Sequence, residues 1–303
     1  MIGFAMAATA ASIAMTAPGP QGPLAGTLLD GGAHSPVVLI IPGSGPTDRD
    51  GNNPLGITAA PYRMLAEALA QRGVSTVRID KRGMFASKAA VADPNKVTIG
   101  DYARDTHNWV AAIRKQTGAN CVWVLGHSEG ALVALAAAQK PDAICGAILV
   151  SGAGRRLSDV IREQLRANPA NAPVLDSAMT ALDSLEHRQH VDVSAMHPAL
   201  QKLFAPQVQD FLIDMFSYDP AKLAASTELP LLVVQGGRDL QVSVADAKAL
   251  AVGKAKLRLL PQMNHVLKDV ASDDRAANLA TYTDSLMPVD SGAVDAIATF
   301  VKR

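Results

Sequence analysis

Short apolar runs alternate along this chain with stretches of helical periodicity from Pro36 onward. The runs that read as strands are residues 37–41, 74–79, 122–125, 147–150, 231–234 and 257–260. Strands alternating with helices form βαβ units that wind into a parallel sheet, and strands that are apolar throughout indicate that helices cover both faces. The pattern predicts an α/β fold with a doubly wound, mostly parallel sheet. The extended piece at 24–29 should add an antiparallel edge strand.

The alternation stops between Gly152 and Glu228, where three amphipathic stripes occur and no run reads as a strand. Apolar residues recur there at helical spacing, as at Leu157, Val160, Ile161 and Leu165. We therefore expect a helical cap at 153–228, inserted into a core formed by 21–152 and 229–303. Such an insertion would lie over the carboxyl edge of the sheet, where ligands bind in open α/β folds.

The first seventeen residues are small and apolar, and Pro18, Gly19 and Pro20 follow them. This composition resembles the hydrophobic and cleavage regions of a secretory signal, although the basic n-region is missing. Residues 1–20 are therefore expected to form a leader, with a periplasmic or secreted location if it functions and a cytoplasmic one otherwise. No later run is long and apolar enough to predict stable membrane insertion.

The net charge is zero, because 28 Lys and Arg residues balance 28 Asp and Glu residues. Nothing in this balance attracts the chain to nucleic acid or to an anionic membrane, so the expected partner is a small, roughly neutral molecule. No CxxC pair or HExxH motif predicts a metal site. Cys121 and Cys145 each stand just before a predicted strand, and two free thiols or a disulfide are both compatible with that placement.

The pentapeptide Gly126-His127-Ser128-Glu129-Gly130 lies between an apolar strand and an apolar helix. A GxSxG motif in a strand-turn-helix setting is typical of a nucleophile elbow, in which a strained turn exposes the serine hydroxyl. Ser128 is therefore the predicted nucleophile. The same turn should bring the Glu129 N–H to the position where an oxyanion would form.

A serine hydroxyl needs a base, and that base is usually a histidine oriented by a carboxylate. His265 directly follows the last predicted strand and Pro261, which places it at the same sheet edge as Ser128. The other histidines lie beside the nucleophile, before the first core strand, on a covering helix or in the cap, and they are His127, His34, His107, His187, His190 and His197. We predict that His265 is the general base and that His127 is a packing residue.

The acid should lie between the serine and the histidine in the chain, after the preceding strand. Asp239 meets this condition in Gln235-Gly236-Gly237-Arg238-Asp239. An alternative reading makes Asp239 the N-cap of the next helix, and Asp246 is a rival that falls within that helix. Asp239 is the predicted acid.

A second oxyanion donor is expected in the loop Pro42-Gly43-Ser44-Gly45-Pro46, after the first core strand. Glycines on both sides free the backbone to turn the Ser44 N–H inward, and Gly45 is the alternative donor. Three charged residues that follow, Asp48, Arg49 and Asp50, should form a charge network that pins this loop, with Arg82 as a further member.

Five segments together carry a family resemblance. They are PGSGPTDRDGN at 42–52, DKRGMFAS at 80–87, GHSEGAL at 126–132, QGGRD at 235–239 and MNHVLK at 263–268. From about Leu24 to its end the chain resembles a bacterial α/β-hydrolase subgroup of esterases and serine-aminopeptidase-like proteins. The resemblance implies hydrolysis of carboxylic esters by a Ser-Asp-His triad without a cofactor. The family's N-terminal hairpin looks shortened here.

The expected function is that of a serine carboxylesterase acting on small esters with short to medium acyl groups. A peptidase or aminopeptidase and an acyltransferase could use the same triad, and a non-catalytic ligand-binding protein could share the fold. An aminopeptidase would need acidic side chains to hold the substrate amine, and the cap offers Asp159, Glu163, Asp183, Glu186 and Asp192.

Overall fold

The computed structural model describes residues 11–303, and a single eight-stranded sheet runs through them in the order β1-β2-β4-β3-β5-β6-β7-β8. The strands are Ser12–Ala17 (β1), Leu24–Leu29 (β2), Val37–Ile41 (β3), Ser75–Ile79 (β4), Val122–His127 (β5), Ile144–Val150 (β6), Leu231–Gly236 (β7) and Lys256–Leu260 (β8). β2 pairs antiparallel with β1 and with β4, and all other neighbours are parallel. The mostly parallel sheet confirms the predicted fold class.

Helices cover both faces of the sheet. They are Pro61–Ala70 (α1), Ile99–Thr117 (α2), Glu129–Ala138 (α3), Leu157–Ala167 (α4), Leu175–Glu186 (α5), Pro198–Leu203 (α6), Pro206–Phe216 (α7), Pro220–Ser226 (α8), Val244–Leu250 (α9), Arg275–Ala280 (α10) and Ser291–Val301 (α11). In β3, Leu39 and Ile41 pack with α2 and α3, whereas Val38 and Ile40 pack with α1 and α11. Successive side chains of a strand point to opposite faces, so two cores require strands that are apolar at every position.

The side chains of β8 are not buried on both faces of the sheet. Leu257 and Leu259 are 37% and 38% exposed, because β8 is an edge strand with β7 as its single neighbour. The edge prediction for Leu24–Leu29 is also wrong. This strand is antiparallel as expected, but β1 lies outside it and forms the edge.

β1 falls inside the segment for which the sequence predicted a leader. It pairs with β2 over six residues, from Ser12 opposite Leu29 to Ala17 opposite Leu24, and the side chains of Met15 and Ala17 are buried. A strand that contributes to the sheet and to the core is part of the folded domain, so the leader prediction is wrong for Ser12–Ala17. Its remainder at 1–10 lies outside the described residues. The pairing gives the N-terminal hairpin two six-residue arms.

The chain between β6 and β7 is helical, as the three amphipathic stripes predicted. It contains α4 to α8, of which the short helices α6 and α8 were not predicted. Phe204 and Phe216 of this segment are buried in the same apolar cluster as α2 and α3, and the Phe211 ring meets Tyr102 of α2 edge to face. We call residues 153–228 the helical insertion. Among residues 11–303, no helix is both long and apolar enough to cross a membrane.

Cys121 and Cys145 form a disulfide, with their Cα atoms 5.3 Å apart. The bond joins the start of β5 to β6, which are neighbours in the sheet. Of the two possibilities that the sequence left open, the structure has the bonded one.

The order of the strands reverses beside β3. The chain passes from β3 to β4 on one side and then returns to β5 on the other. In open α/β sheets, ligands bind beyond the carboxyl ends of the strands at such a reversal. The loops after β3 and β5 therefore meet at the most favourable position for a site, and they contain Ser44 and Ser128.

Candidate active site

Ser128 lies on the turn between β5 and α3. Its backbone has φ 55° and ψ −120°, a conformation that a residue with a side chain rarely adopts and that costs free energy. The Ser128 N–H donates to Val150 O at 2.9 Å, which ties the turn to β6. The side chain is half-buried. An ordinary helix start would have an extended residue at this position, so the turn matches a nucleophile elbow instead.

The strand and the helix can meet at this turn because glycines flank it. A Cβ added to Gly126 would overlap the Gly130 carbonyl, and one added to Gly130 would overlap the Ile41 carbonyl at the end of β3. The close contact brings the amino end of α3 against the loop after β3. Gly43 in that loop approaches Ser128 so closely that an added Cβ would lie 3.3 Å from the Ser128 Cβ.

Asp239 and His265 are hydrogen-bonded to each other. His265 Nδ1 lies 2.9 Å from Asp239 Oδ2 and 3.1 Å from Oδ1. Asp239 follows β7 and His265 follows β8, so the structure brings together two residues predicted from their positions after strands. Within residues 11–303 no hydrogen bond joins the Ser128 hydroxyl to the His265 ring, and such contacts often tighten when substrate binds.

Besides the His265 ring, three donors hold the Asp239 carboxylate. Its Oδ1 accepts from the N–H groups of Gln241 at 2.8 Å and Val242 at 2.9 Å, and its Oδ2 accepts from Gln235 Nε2 at 3.2 Å. Burial alone would raise the pKa of Asp239, but the neighbouring His265 and these N–H donors lower it below its usual value. The carboxylate therefore stays ionised and keeps one orientation.

The structure supports neither alternative to Asp239 as the acid, that is, Asp239 as a helix N-cap or Asp246 as the acid. The N-cap of α9 is Ser243, whose side chain accepts from the Asp246 N–H. Asp246 itself is buried and binds Arg155 and the Gly154 N–H. It therefore links α9 to the helical insertion and does not contact His265.

His127 is more than the packing residue that the sequence predicted. Its Nε2 lies 2.8 Å from the His265 carbonyl oxygen, which can only accept, so Nε2 carries the proton. Its Nδ1 then accepts from the Tyr62 hydroxyl at 2.8 Å, and the Tyr62 oxygen accepts from the Gly43 N–H at 3.1 Å. One hydrogen-bonded chain therefore links the β3 loop, the elbow and the segment that carries His265.

Burial keeps this chain in one protonation state. Burial, with a smaller contribution from the nearby His265 ring, lowers the pKa of His127 to about 3. Burial also raises the pKa of Tyr62 well above its usual value. Over the neutral pH range His127 is therefore uncharged and Tyr62 is a hydroxyl donor, as the hydrogen-bond directions require.

The structure also brings the predicted oxyanion donors to the elbow. The Gly43 N–H is bound by Tyr62, so it is not available. The N–H groups of Ser44 and Glu129 have no acceptor within residues 11–303, and they come from the two segments that meet at Ser128. The Gly45 N–H also has no acceptor in that part of the chain, so the alternative donor stays open.

The charge network beside the loop differs from the prediction in two members, Asp48 and Arg82. Asp48 forms no ion pair within residues 11–303 and instead accepts from the N–H groups of Asp50 and Asn52. Arg49 pairs with Asp80, and Asp50 pairs with Arg78 of β4. Arg82 takes no part, because its guanidinium points to α2 and binds the two carboxylates there, those of Asp101 and Asp105. Residues 80 to 82 thus send their side chains in different directions. Lys81, for which the sequence suggested no role, contacts the β3 loop and Glu129.

A model of the family described as serine aminopeptidase, S33, matches residues 55–267, which is more than two thirds of the chain. The chain belongs to this family. The match begins after the β3 loop and includes Ser128, Asp239 and His265, so the family assignment and the site geometry concern the same residues. It also confirms the resemblance inferred from the five sequence segments.

One curated relative in this comparison is the esterase EstD of Thermotoga maritima, 27% identical over 253 residues. The aligned part is 80% of this chain and 57% of EstD, so the chain spans little more than half the length of that relative.

Solved structures with the same fold include the esterase Pf2001 of Pyrococcus furiosus, with a TM-score of 0.61, 16% identity and coverage of 97% of this chain and 91% of that one. Est1E of Butyrivibrio proteoclasticus, solved with ferulic acid, has a TM-score of 0.57 and 18% identity over 95% of this chain and 100% of its own. These similarities show the α/β-hydrolase fold of this family member.

Tyr62→Phe should destabilise the protein through the hydrogen-bonded chain. The variant leaves the buried Gly43 N–H and His127 Nδ1 without partners, and each such group costs about 1–3 kcal/mol. Urea unfolding should show a loss of roughly 2–4 kcal/mol. Tyr282→Phe is the matched control because, within residues 11–303, the Tyr282 hydroxyl has only a 3.5 Å contact with Gln241. Equal losses in the two variants would contradict the role of the chain.

Proposed function

We propose that this protein is a serine carboxylesterase that hydrolyses small esters with short to medium acyl groups through an acyl-enzyme on Ser128. The proposal rests above all on the hydrogen bond between Asp239 and His265, formed at the sheet edge where Ser128 turns outward. The esterases among its sequence and fold relatives support the same reaction class. No group of three or more His, Cys, Asp or Glu side chains in residues 11–303 is arranged to hold a metal ion.

In the proposed mechanism, His265 Nε2 takes the proton of the Ser128 hydroxyl while the oxygen attacks the ester carbonyl. The carbonyl oxygen becomes an oxyanion, which the N–H groups of Ser44 and Glu129 bind. The intermediate collapses, the C–O bond to the alcohol breaks, and the imidazolium returns its proton to the leaving alkoxide. Water, deprotonated by His265, then attacks the acyl-enzyme and releases the acid and the free Ser128 hydroxyl. Asp239 holds the required tautomer of His265 throughout.

Support for the expected substrate size comes from a cavity that is lined, among the triad residues, by Asp239 alone. It has a volume of about 800 Å³ and lies between α4 of the helical insertion and the segment after β7. Its lining includes Asp239, the apolar side chains of Ile161, Leu165 and Leu203, and polar groups such as Gln241. A mixed cleft of this size is in the range of small-molecule sites. We therefore propose that the helical insertion acts as a cap and supplies one wall of the substrate site.

The acidic residues of the insertion favour an ester over a peptide substrate. An aminopeptidase needs an unpaired carboxylate for the substrate amine, and four of the five candidates bind arginines of the insertion. Asp159, Asp183 and Glu186 contact Arg162, whereas Glu163 contacts Arg155. The fifth, Asp192, caps the Ser194 N–H on the surface.

The function can be tested with p-nitrophenyl esters of increasing acyl length beside aminoacyl p-nitroanilides. We expect turnover of acetate to octanoate esters and anilide rates at least a hundredfold lower. A fluorophosphonate should label Ser128, as mass spectrometry of the digested protein would show. A preference for anilides would favour the peptidase, and ester products in the presence of added alcohol would favour acyl transfer. Absence of labelling would favour a ligand-binding protein without catalysis.

The pH dependence of kcat/KM for ester hydrolysis should show a single ionisation on its acid side. With a pKa of about 3, His127 stays neutral above pH 4, and the lowered pKa of Asp239 keeps its carboxylate charged. A general base must be neutral to act, and neither of these two neighbours of the base changes its charge in this range. A plot of log kcat/KM against pH from 4.5 to 8 should rise with unit slope to a plateau. A slope of two would show that a second group titrates.

A further inference from the structure

Lys81 is a buried ammonium at the proposed oxyanion hole. Its side chain is 2% exposed. Its Nζ donates to Gly43 O at 2.7 Å and to Glu129 Oε1 at 2.9 Å, and it lies 5.2 Å from the centre of the Tyr102 ring. Two oxygen acceptors and one aromatic face therefore surround an ammonium group that has three donors. The mechanism described above gives this side chain no role.

The two oxygen acceptors belong to the two segments that supply the oxyanion donors. A trans peptide is planar, and its C=O and N–H groups point in opposite directions. Because Lys81 binds the Gly43 carbonyl, the N–H of the same peptide, that of Ser44, must point away from Lys81. Tyr62 holds the preceding N–H, that of Gly43, so the loop is fixed on both sides of Gly43.

Lys81 also balances a charge that would oppose catalysis. Glu129 carries a buried carboxylate, 4% exposed, on the residue whose N–H we assign to the hole. An unbalanced negative charge so close to a developing oxyanion would raise the energy of the intermediate, and the effect is large where water is excluded. The ammonium of Lys81 cancels this charge and anchors the Glu129 side chain at the start of α3.

We propose that Lys81 is a positioning residue for the oxyanion hole. It holds the Gly43–Ser44 peptide with the Ser44 N–H available to the oxyanion, and it neutralises Glu129. The inference depends on the proposed function, because it assigns a task within that reaction. A buried ion pair that serves stability alone is the competing explanation, so the test must separate the rate of acylation from the stability of the fold.

Three variants separate the effect of Lys81 on acylation from its effect on stability. Lys81→Met removes the ammonium but keeps the length of the side chain. Lys81→Met combined with Glu129→Met removes both charges and introduces no new donor for the Gly43 carbonyl. Arg82→Met is the control, because Arg82 forms a buried pair with Asp105 that lies against α2 and touches neither segment of the hole.

Five quantities should be measured for each variant. They are Tm, kcat and KM with p-nitrophenyl butyrate, the affinity of a trifluoromethyl ketone that forms a tetrahedral adduct, and the rate of fluorophosphonate labelling of Ser128. In Lys81→Met we expect kcat to fall by roughly 10- to 1000-fold, the range for a lost or misplaced oxyanion donor. KM should change less than about threefold, and ketone affinity and labelling rate should fall with kcat, because they also need the hole.

The Tm values of the three variants should rank differently from their kcat values. Removing one partner of a buried pair leaves an unpaired charge, whereas removing both partners is often near neutral. The double variant should therefore recover much of the Tm lost in Lys81→Met. Its kcat should recover only the part that the unbalanced Glu129 charge had cost and should stay well below that of the unchanged protein, because the Gly43 carbonyl still lacks its donor. Arg82→Met should lose Tm and keep kcat within about threefold.

The proposal is overturned if kcat of the double variant returns to that of the unchanged protein, or if Lys81→Met labels at the rate of the unchanged protein. Labelling needs no ester substrate, so these outcomes refute the role of Lys81 even if the natural substrate is not an ester. If the unchanged protein is not labelled at Ser128 at all, the proposed function fails first, and this inference fails with it.

Discussion

Ser128→Ala should lower kcat for ester hydrolysis by about 10⁴- to 10⁶-fold, because removing the nucleophile of a triad removes the covalent pathway. KM should change little, since the hydroxyl contributes to bond formation more than to substrate binding. Stability should hold or rise slightly, because alanine keeps the turn and loses only a half-buried hydroxyl. The rates can be compared with p-nitrophenyl butyrate, after contaminating esterase has been excluded with the fluorophosphonate.

Ser151 provides a matched control for this variant. It follows β6, the strand next to β5, so it lies at the same edge of the sheet. Its hydroxyl is buried and forms no hydrogen bond within the described part of the chain, so Ser151→Ala should leave kcat within about threefold. A Ser128→Ala protein that retained a tenth of the original rate would refute Ser128 as the nucleophile.

The second large effect is expected for Asp239→Asn, with kcat falling by about 10⁴-fold. The asparagine can present its N–H₂ group to His265 Nδ1, which favours the tautomer with the proton on Nε2. That tautomer cannot accept the proton of Ser128. The fold should tolerate the change, because the Gln241 and Val242 N–H groups can still donate to the side-chain oxygen.

Asp246→Asn is the control for the second prediction. Asp246 is also a buried aspartate with several donors, among them Arg155 and Ser243, but it lies in α9 away from His265. The substitution should lower the free energy of unfolding and leave kcat within about threefold. If instead Asp246→Asn abolished activity and Asp239→Asn did not, the assignment of the acid would be wrong.

The three predicted triad residues share one property: each stands in the segment that follows a parallel strand. Ser128, Asp239 and His265 could be placed at one edge because parallel strands end together, and this inference needs only strand order along the chain. The fold class followed from the same alternation of strands and helices. Both results depend on local patterns, which sequence displays directly.

The features that were missed depend on contacts between distant segments. Tyr62 and His127 are 65 residues apart, and Lys81 meets Glu129 across 48 residues. No local periodicity marks such pairs, although a lysine inside the buried segment after β4 was a signal that could have been followed. β1 was missed for a different reason. An alanine-rich apolar segment has the composition of a signal sequence, and only its pairing with β2 distinguishes the two.

The disulfide has a consequence for how the protein should be produced. Closing a loop between residues 24 apart restricts the unfolded chain, which by the chain-entropy model is worth about 3 kcal/mol. A preparation from a reducing cytoplasm would lack this contribution and unfold more readily, whereas secretion into an oxidising compartment would preserve it. Titration of free thiols under denaturing conditions would reveal which form a purified batch contains. Thermal inactivation rates from different expression hosts should be compared only after that titration.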